Sequence, residues 1–115
     1  ELLGVPWAAQ GRVGPFSPVY VNDGLTLDFD EWPGPMPKLH YCFRVDPAAF
    51  DLIVGRIRAA GLAYRSLPHG ADDHHVNAAF GGRLLYWGEP DGHVWELLTV
   101  SYERQTPPPE PTCSA

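Results

Sequence analysis

Hydrophobic and polar positions alternate with a period of two along several stretches of this chain, and with a helical period along one. Residues 16–22 (FSPVYVN) alternate loosely, with Val19 and Val21 on one face and Tyr20 and Asn22 on the other. Asn22-Asp23-Gly24 is a tight-turn signal, and residues 25–29 (LTLDF) resume a clean alternation. The two runs therefore predict a β-hairpin. Residues 31–37 (EWPGPMP) carry three prolines and a glycine, which reads as a linker or lid between two halves.

The second half reads more fully. Residues 39–45 (LHYCFRV) predict a strand with His40, Cys42 and Arg44 on one face and Tyr41, Phe43 and Val45 on the other. Asp46-Pro47 is a helix start, a side-chain acceptor followed by proline at the first helical position. Phe50, Ile53, Val54 and Ile57 fall at i, i+3, i+4 and i+7, one apolar stripe facing a sheet, and Gly61 closes the helix. A short strand is expected over residues 62–66, then a polar loop over 68–77 that holds His69, His74 and His75. Residues 83–88 and 94–100 form a final hairpin joined through Glu89-Pro90-Asp91-Gly92-His93.

The order in the second half is strand, helix, strand, strand, strand. The first half opens on Glu1-Leu2-Leu3-Gly4, which looks like a helix end, followed by an extended piece at Val5-Pro6-Trp7 and two strands. That is the same unit with its first strand and most of its helix missing. The expectation is an α+β fold in a single domain over residues 1–102: a remnant of a first module over 1–30, a linker over 31–38 and a complete second module over 39–102. The tail over residues 103–115 (ERQTPPPEPTCSA) is proline-rich with little to bury and is expected to be disordered.

Composition narrows the function. With 115 residues, 44% of them hydrophobic and 19% charged, the chain has the makings of one globular domain, and 12 glycines with 13 prolines exclude a helix bundle. Eight basic residues against 14 acidic ones give a net charge of -6, and Lys38 is the single lysine. No stripe of cations is present to neutralise phosphates, so a nucleic-acid partner is disfavoured. No apolar run approaches the roughly 18 residues of a membrane span. Cys42 and Cys113 make neither a disulfide framework nor a zinc-binding spacing, and a reduced, cytoplasmic setting is expected.

Pro90-Asp91-Gly92-His93-Val94-Trp95-Glu96-Leu97 resembles the closing segment of the vicinal oxygen chelate superfamily, in which an Asp-Gly turn leads into a strand bearing a glutamate. That superfamily includes glyoxalases, extradiol dioxygenases, fosfomycin-resistance enzymes and bleomycin-resistance binding proteins. Glu1-Leu2-Leu3-Gly4, the Asp23-Gly24 turn and the helix end over residues 56–61 are similar to the corresponding family features. The resemblance covers roughly residues 1–102. It implies paired βαβββ modules whose mixed sheets curl around a cavity, with any metal ligands on the inner strand faces.

By that resemblance His40 and Glu96 are the two metal ligands this sequence supplies, and a third, from the first strand of the first module, lies upstream of residue 1. The facing of Glu96 agrees: it shares its strand face with Val94 and Leu98, and a carboxylate there costs several kcal/mol unless it is paired or metal-bound. Imidazole plus carboxylate suits Fe, Mn, Ni, Co or Zn. Each residue also has a plainer reading. His40 satisfies a hydrogen bond in a strand; Glu96 pairs with Arg44 or Arg83. Tyr86 is a cavity hydroxyl with a catalytic role, or simply core. Cys42 lines the cavity or is a small buried apolar residue, and Arg44 meets an anionic substrate or an acidic neighbour. His93 shapes the turn, and His74 and His75, behind Asp72 and Asp73, belong to a solvated loop.

Two functions follow. One is a metalloenzyme of the glyoxalase or dioxygenase type (a lyase, isomerase or dioxygenase) that binds a small molecule through two adjacent oxygens on a divalent ion, with Glu96 and Tyr86 in the chemistry. The other is a metal-free, bleomycin-resistance-like protein that sequesters a small ligand, with Trp32, Trp87 and Trp95 forming a stackable aromatic pocket. Both predict a homodimer, since a truncated first module leaves an open sheet edge and an uncovered apolar face.

Overall fold

The computed structural model describes residues 1–102. The chain divides into two compact units, Glu1–Pro37 and the residues from Lys38 onward. The proline-rich tail, expected to be disordered, lies outside the described residues.

In the first unit, β1 (Ser17–Asn22) and β2 (Leu25–Phe29) pair antiparallel across the Asn22-Asp23-Gly24 turn, where the Asn22 Oδ1 accepts a hydrogen bond from the Gly24 N–H at 2.9 Å. The register shifts between Tyr20 and Asn22, so the expected alternation is interrupted by an irregularity at Val21. The extended piece runs beside β1: Trp7 bridges to Val19, the Tyr20 N–H donates to the Pro6 carbonyl at 2.8 Å, and the Ala8 N–H donates to Pro18 at 3.0 Å. Residues 1–4 form a turn closed by the Gly4 N–H on the Glu1 carbonyl at 3.2 Å.

The second unit is a mixed three-stranded sheet with one helix, an α+β arrangement. Its elements are β3 (His40–Arg44), α1 (Pro47–Ala59), β4 (Leu84–Gly88) and β5 (Val94–Leu98), with sheet order β3-β5-β4. The central strand β5 runs parallel to β3 and antiparallel to β4. Parallel pairing of β3 with β5 requires a crossover, and α1 supplies it. Asp46 caps its start, accepting from the Ala49 N–H at 2.8 Å, with Pro47 behind it. Its end is a Schellman turn: Gly61 at φ 68° donates to Arg58 at 3.0 Å, and Leu62 donates to Ile57 at 3.1 Å.

The buried stripe of α1 is the one its periodicity predicts, Phe50, Ile53, Val54 and Ile57. Alternation puts Arg83 on the sheet face of Leu85 and Trp87, and its guanidinium sits 4.7 Å from the Phe50 ring centroid while hydrogen-bonding to Asp51. The helix therefore covers that face, where Leu85 and Leu97 are fully buried. On the same face Trp95 stacks with Tyr41 at 4.5 Å, Phe43 at 5.9 Å and Trp87 at 6.2 Å.

One expected strand does not form. Residues 62–66 contribute a single bridge, the backbone of Arg65 exchanging hydrogen bonds of 2.8 and 2.9 Å with Tyr86. Pairing stops there because the polar neighbours are tied to the following loop instead. The Arg65 side chain donates to the Pro68 carbonyl and Asp72, and Ser66 donates to the Asp73 carboxylate through both its N–H and its hydroxyl. The last strand is likewise shorter than expected, ending at Leu98.

Candidate functional site

Glu96 stands at the middle of β5 with none of its surface exposed. The register sets Cys42 of β3 beside it on one side and Tyr86 of β4 on the other. Both side chains hydrogen-bond to its carboxylate. Tyr102, beyond the end of β5, donates its hydroxyl to Oε1 at 3.3 Å and to Oε2 at 3.4 Å. His40, one pleat before Cys42 on the same face, brings Nε2 to 3.6 Å from Oε2 and sets its ring edge-on to Tyr86 at 5.9 Å. Neither Arg44 nor Arg83 pairs with Glu96: Arg83 is engaged by Asp51 instead.

The carboxylate marks its neighbours electrostatically. Burial of the sulfur, then the hydrogen bond to Glu96 and its charge, push the Cys42 thiol up to about 12, although the residue as a whole keeps exposed surface. The Tyr86 hydroxyl is likewise pushed up, by burial first and then by Glu96. At neutral pH both are protonated donors. Among the described residues no buried side-chain nitrogen or oxygen is left without a partner. Beside this cluster lies an open cavity of about 480 Å³ lined by Cys42, Arg44, Leu98 and Ser101.

No protein-family model matches the chain, and no curated protein does. Solved structures do. Oxidase ChaP-H1 is 42% identical, with 88% of this chain and 80% of that chain covered and a TM-score of 0.78. Oxidase ChaP-H2 is 39% identical over 88% of this chain and 78% of that one, with a TM-score of 0.79. A fosfomycin resistance protein, FosX from Mesorhizobium loti, is 20% identical at a TM-score of 0.58, with 87% of this chain and 75% of that chain covered. That likeness is one of fold alone. This chain belongs to the vicinal oxygen chelate superfamily.

A superfamily member of this kind implies a divalent ion, and the donors present can be tested against one. Two donors each about 2.0–2.2 Å from one ion stand at most roughly 4.4 Å apart, so the 3.6 Å between His40 Nε2 and Glu96 Oε2 fits two ligands of a shared ion. Among the described residues no group of three or more His, Cys, Asp or Glu side chains is placed to hold a metal.

The other expected residues of this superfamily member divide. Cys42 and Arg44 line the cavity, and Tyr86 meets Glu96. Trp87 does not face the site. It lies on the α1 side of the sheet, 5% exposed and stacked on Trp95, because its parity along β4 is that of Leu85 and not of Tyr86. Trp95 shares that side, so the two do not form an aromatic pocket at Glu96. Trp32 belongs to the first unit, where it is 65% exposed. His93 acts in the turn as expected: its Nδ1 accepts from the Leu39 N–H at 2.9 Å and its Nε2 lies 3.5 Å from Glu89.

Sequence reasoning missed Tyr102 and Ser101. Both follow the end of β5 at Leu98, where strand alternation no longer assigns a face.

Proposed function

We propose that this chain is an oxidase of the vicinal oxygen chelate type, acting on a small molecule through two adjacent oxygens, with His40 and Glu96 holding a divalent ion. The observation that carries the reading is the 3.6 Å contact between His40 Nε2 and a Glu96 carboxylate that has no exposed surface. Two relatives near 40% identity are named oxidases, which favours the oxidative branch over a lyase or an isomerase. An ion in this position supplies Lewis acidity toward the substrate's oxygens.

The chain's own residues have separate tasks in this reading. Tyr102, Tyr86 and Cys42 donate to Glu96 and hold its carboxylate in one orientation, as outer partners of a ligand commonly do. Tyr86, protonated at neutral pH, keeps its hydroxyl proton on the carboxylate side, held there by Glu96. Residues 39–102 correspond to the second module and residues 1–30 to a partial first one, in a homodimer with a reduced, cytoplasmic setting.

Elemental analysis of the purified protein by mass spectrometry tests the metal. About one Fe, Mn, Ni, Co or Zn per chain is expected, lost in His40→Ala and in Glu96→Gln. Metal content unchanged by both substitutions, or no metal bound by the wild-type protein under any loading condition, overturns the reading.

A further inference from the structure

Arg44 closes β3 on the same face as His40 and Cys42, and it lines the cavity beside Leu98, its partner in the β3–β5 register. Its situation differs from that of other arginines in the unit. Arg65 pairs with Asp72, Arg83 with Asp51, and Arg58 donates to the Tyr64 hydroxyl. Among the described residues no carboxylate pairs with Arg44 and no hydrogen bond engages its guanidinium. In a chain with 14 acidic residues against eight basic ones, that leaves an uncommitted cation on the wall of a cavity.

The spacing describes what such a cation takes. Two residues along a strand span about 6.6 Å, and Cys42 lies directly beside Glu96 in the register. The Arg44 backbone is therefore one strand repeat, about 7 Å, along β3 from that of Cys42, the neighbour of Glu96. At the Arg44 end the wall on β5 is the apolar Leu98, its register partner. A guanidinium presents a planar fork of donors that matches a carboxylate with two parallel hydrogen bonds.

We propose that Arg44 determines the specificity of the site by binding a carboxylate, or a similarly flat anion, on a substrate whose pair of adjacent oxygens lies at the His40–Glu96 end. The substrate is then a small acid whose anionic group and vicinal oxygens are separate parts of the molecule. This rests on the metal-site reading above, and the test separates the two.

Two probes carry vicinal oxygens with and without the anion: 3,4-dihydroxybenzoate and catechol. Each is titrated by calorimetry into the full chain loaded with Zn²⁺, which has no redox chemistry to consume them. The wild-type protein is expected to bind the acid about tenfold or more tightly than catechol, in line with a hydrogen bond to a charged group. Arg44→Gln is expected to remove that preference by weakening the acid alone, with catechol affinity and zinc stoichiometry unchanged. Arg44→Lys, which keeps the charge without the fork, should fall between. If both probes bind and Arg44→Gln weakens them equally or not at all, the assignment of Arg44 is wrong while the metal site stands. If neither probe binds the zinc-loaded wild-type protein, the assignment falls together with the site reading.

Discussion

At Glu96 a carboxylate without exposed surface accepts from a thiol and two phenols, and its influence on them runs in one direction. A donor that ionises beside a carboxylate loses a hydrogen bond and gains a like-charge neighbour, so its proton is held more tightly. Cys42, ordinarily near 9.0, is held at about 12. Alkylation by iodoacetamide, with the Cys42 peptide scored apart from Cys113 by mass spectrometry, is therefore expected to stay slow at pH 9. In Glu96→Gln it should accelerate by about tenfold for each pKa unit recovered. An alkylation rate at pH 8 to 9 like that of a free thiol counts against the arrangement. Stability follows the same sign. A pKa raised in the folded state contributes fully below the ordinary value and is lost as pH climbs through the folded one, so urea-denaturation stability should decline between about pH 9 and 12. Tyr86 adds to the decline in the same direction above its ordinary value.

The elements are governed by their ends as much as by their apolar faces. Asp46 satisfies the otherwise free Ala49 N–H at the start of α1, and Asp46→Ala should cost about 1 kcal/mol in chemical denaturation. Gly82, just before β4, has no room for a side chain: a Cβ there would lie 2.6 Å from Thr99 Oγ1 and 2.9 Å from Val100 Cβ. The same Thr99 oxygen accepts from the Arg83 N–H at 2.9 Å, so it cannot move aside without giving up a hydrogen bond. Gly82→Ala is expected to destabilise by about 1–3 kcal/mol, read by urea titration, and a neutral result would mean that the β4–β5 end is looser than this packing implies. The strand expected over residues 62–66 failed at this scale too. Its polar side chains found partners in their own loop, which periodicity does not register.

At the scale of the whole molecule, β3 is an outer strand of the three-stranded sheet among the described residues, with β5 as its partner there. A homodimer belongs to the proposed reading. Light scattering at tens of micromolar should return about twice the 12.7 kDa chain mass, and a monomer mass there would remove the dimer from the account. The net charge of -6 bears on ligands as well as solubility. A mostly acidic surface repels anions, so an acid that enters the cavity needs a local cation, and Arg44 is placed to be one.

Local chemistry was legible in the sequence wherever one residue decides a local conformation. The Asn22-Asp23-Gly24 turn, the capped start of α1 at Asp46, its end at Gly61 and its buried stripe all follow from the preferences of neighbours along the chain. So does the facing of His40, Cys42 and Glu96, because a strand alternates whatever it pairs with. That alternation also placed Trp87 with Leu85, against the aromatic pocket expected of it. Only the tertiary structure decided which strands are neighbours. The order β3-β5-β4 puts Cys42 and Tyr86 on either side of Glu96, and the path after β5 brings Tyr102 back to it. Partners more than 50 residues apart along the chain, such as Cys42 and Glu96, meet because α1 buries its apolar stripe on one face of the sheet. Side-chain periodicity records which face a residue occupies and carries nothing about who stands beside it.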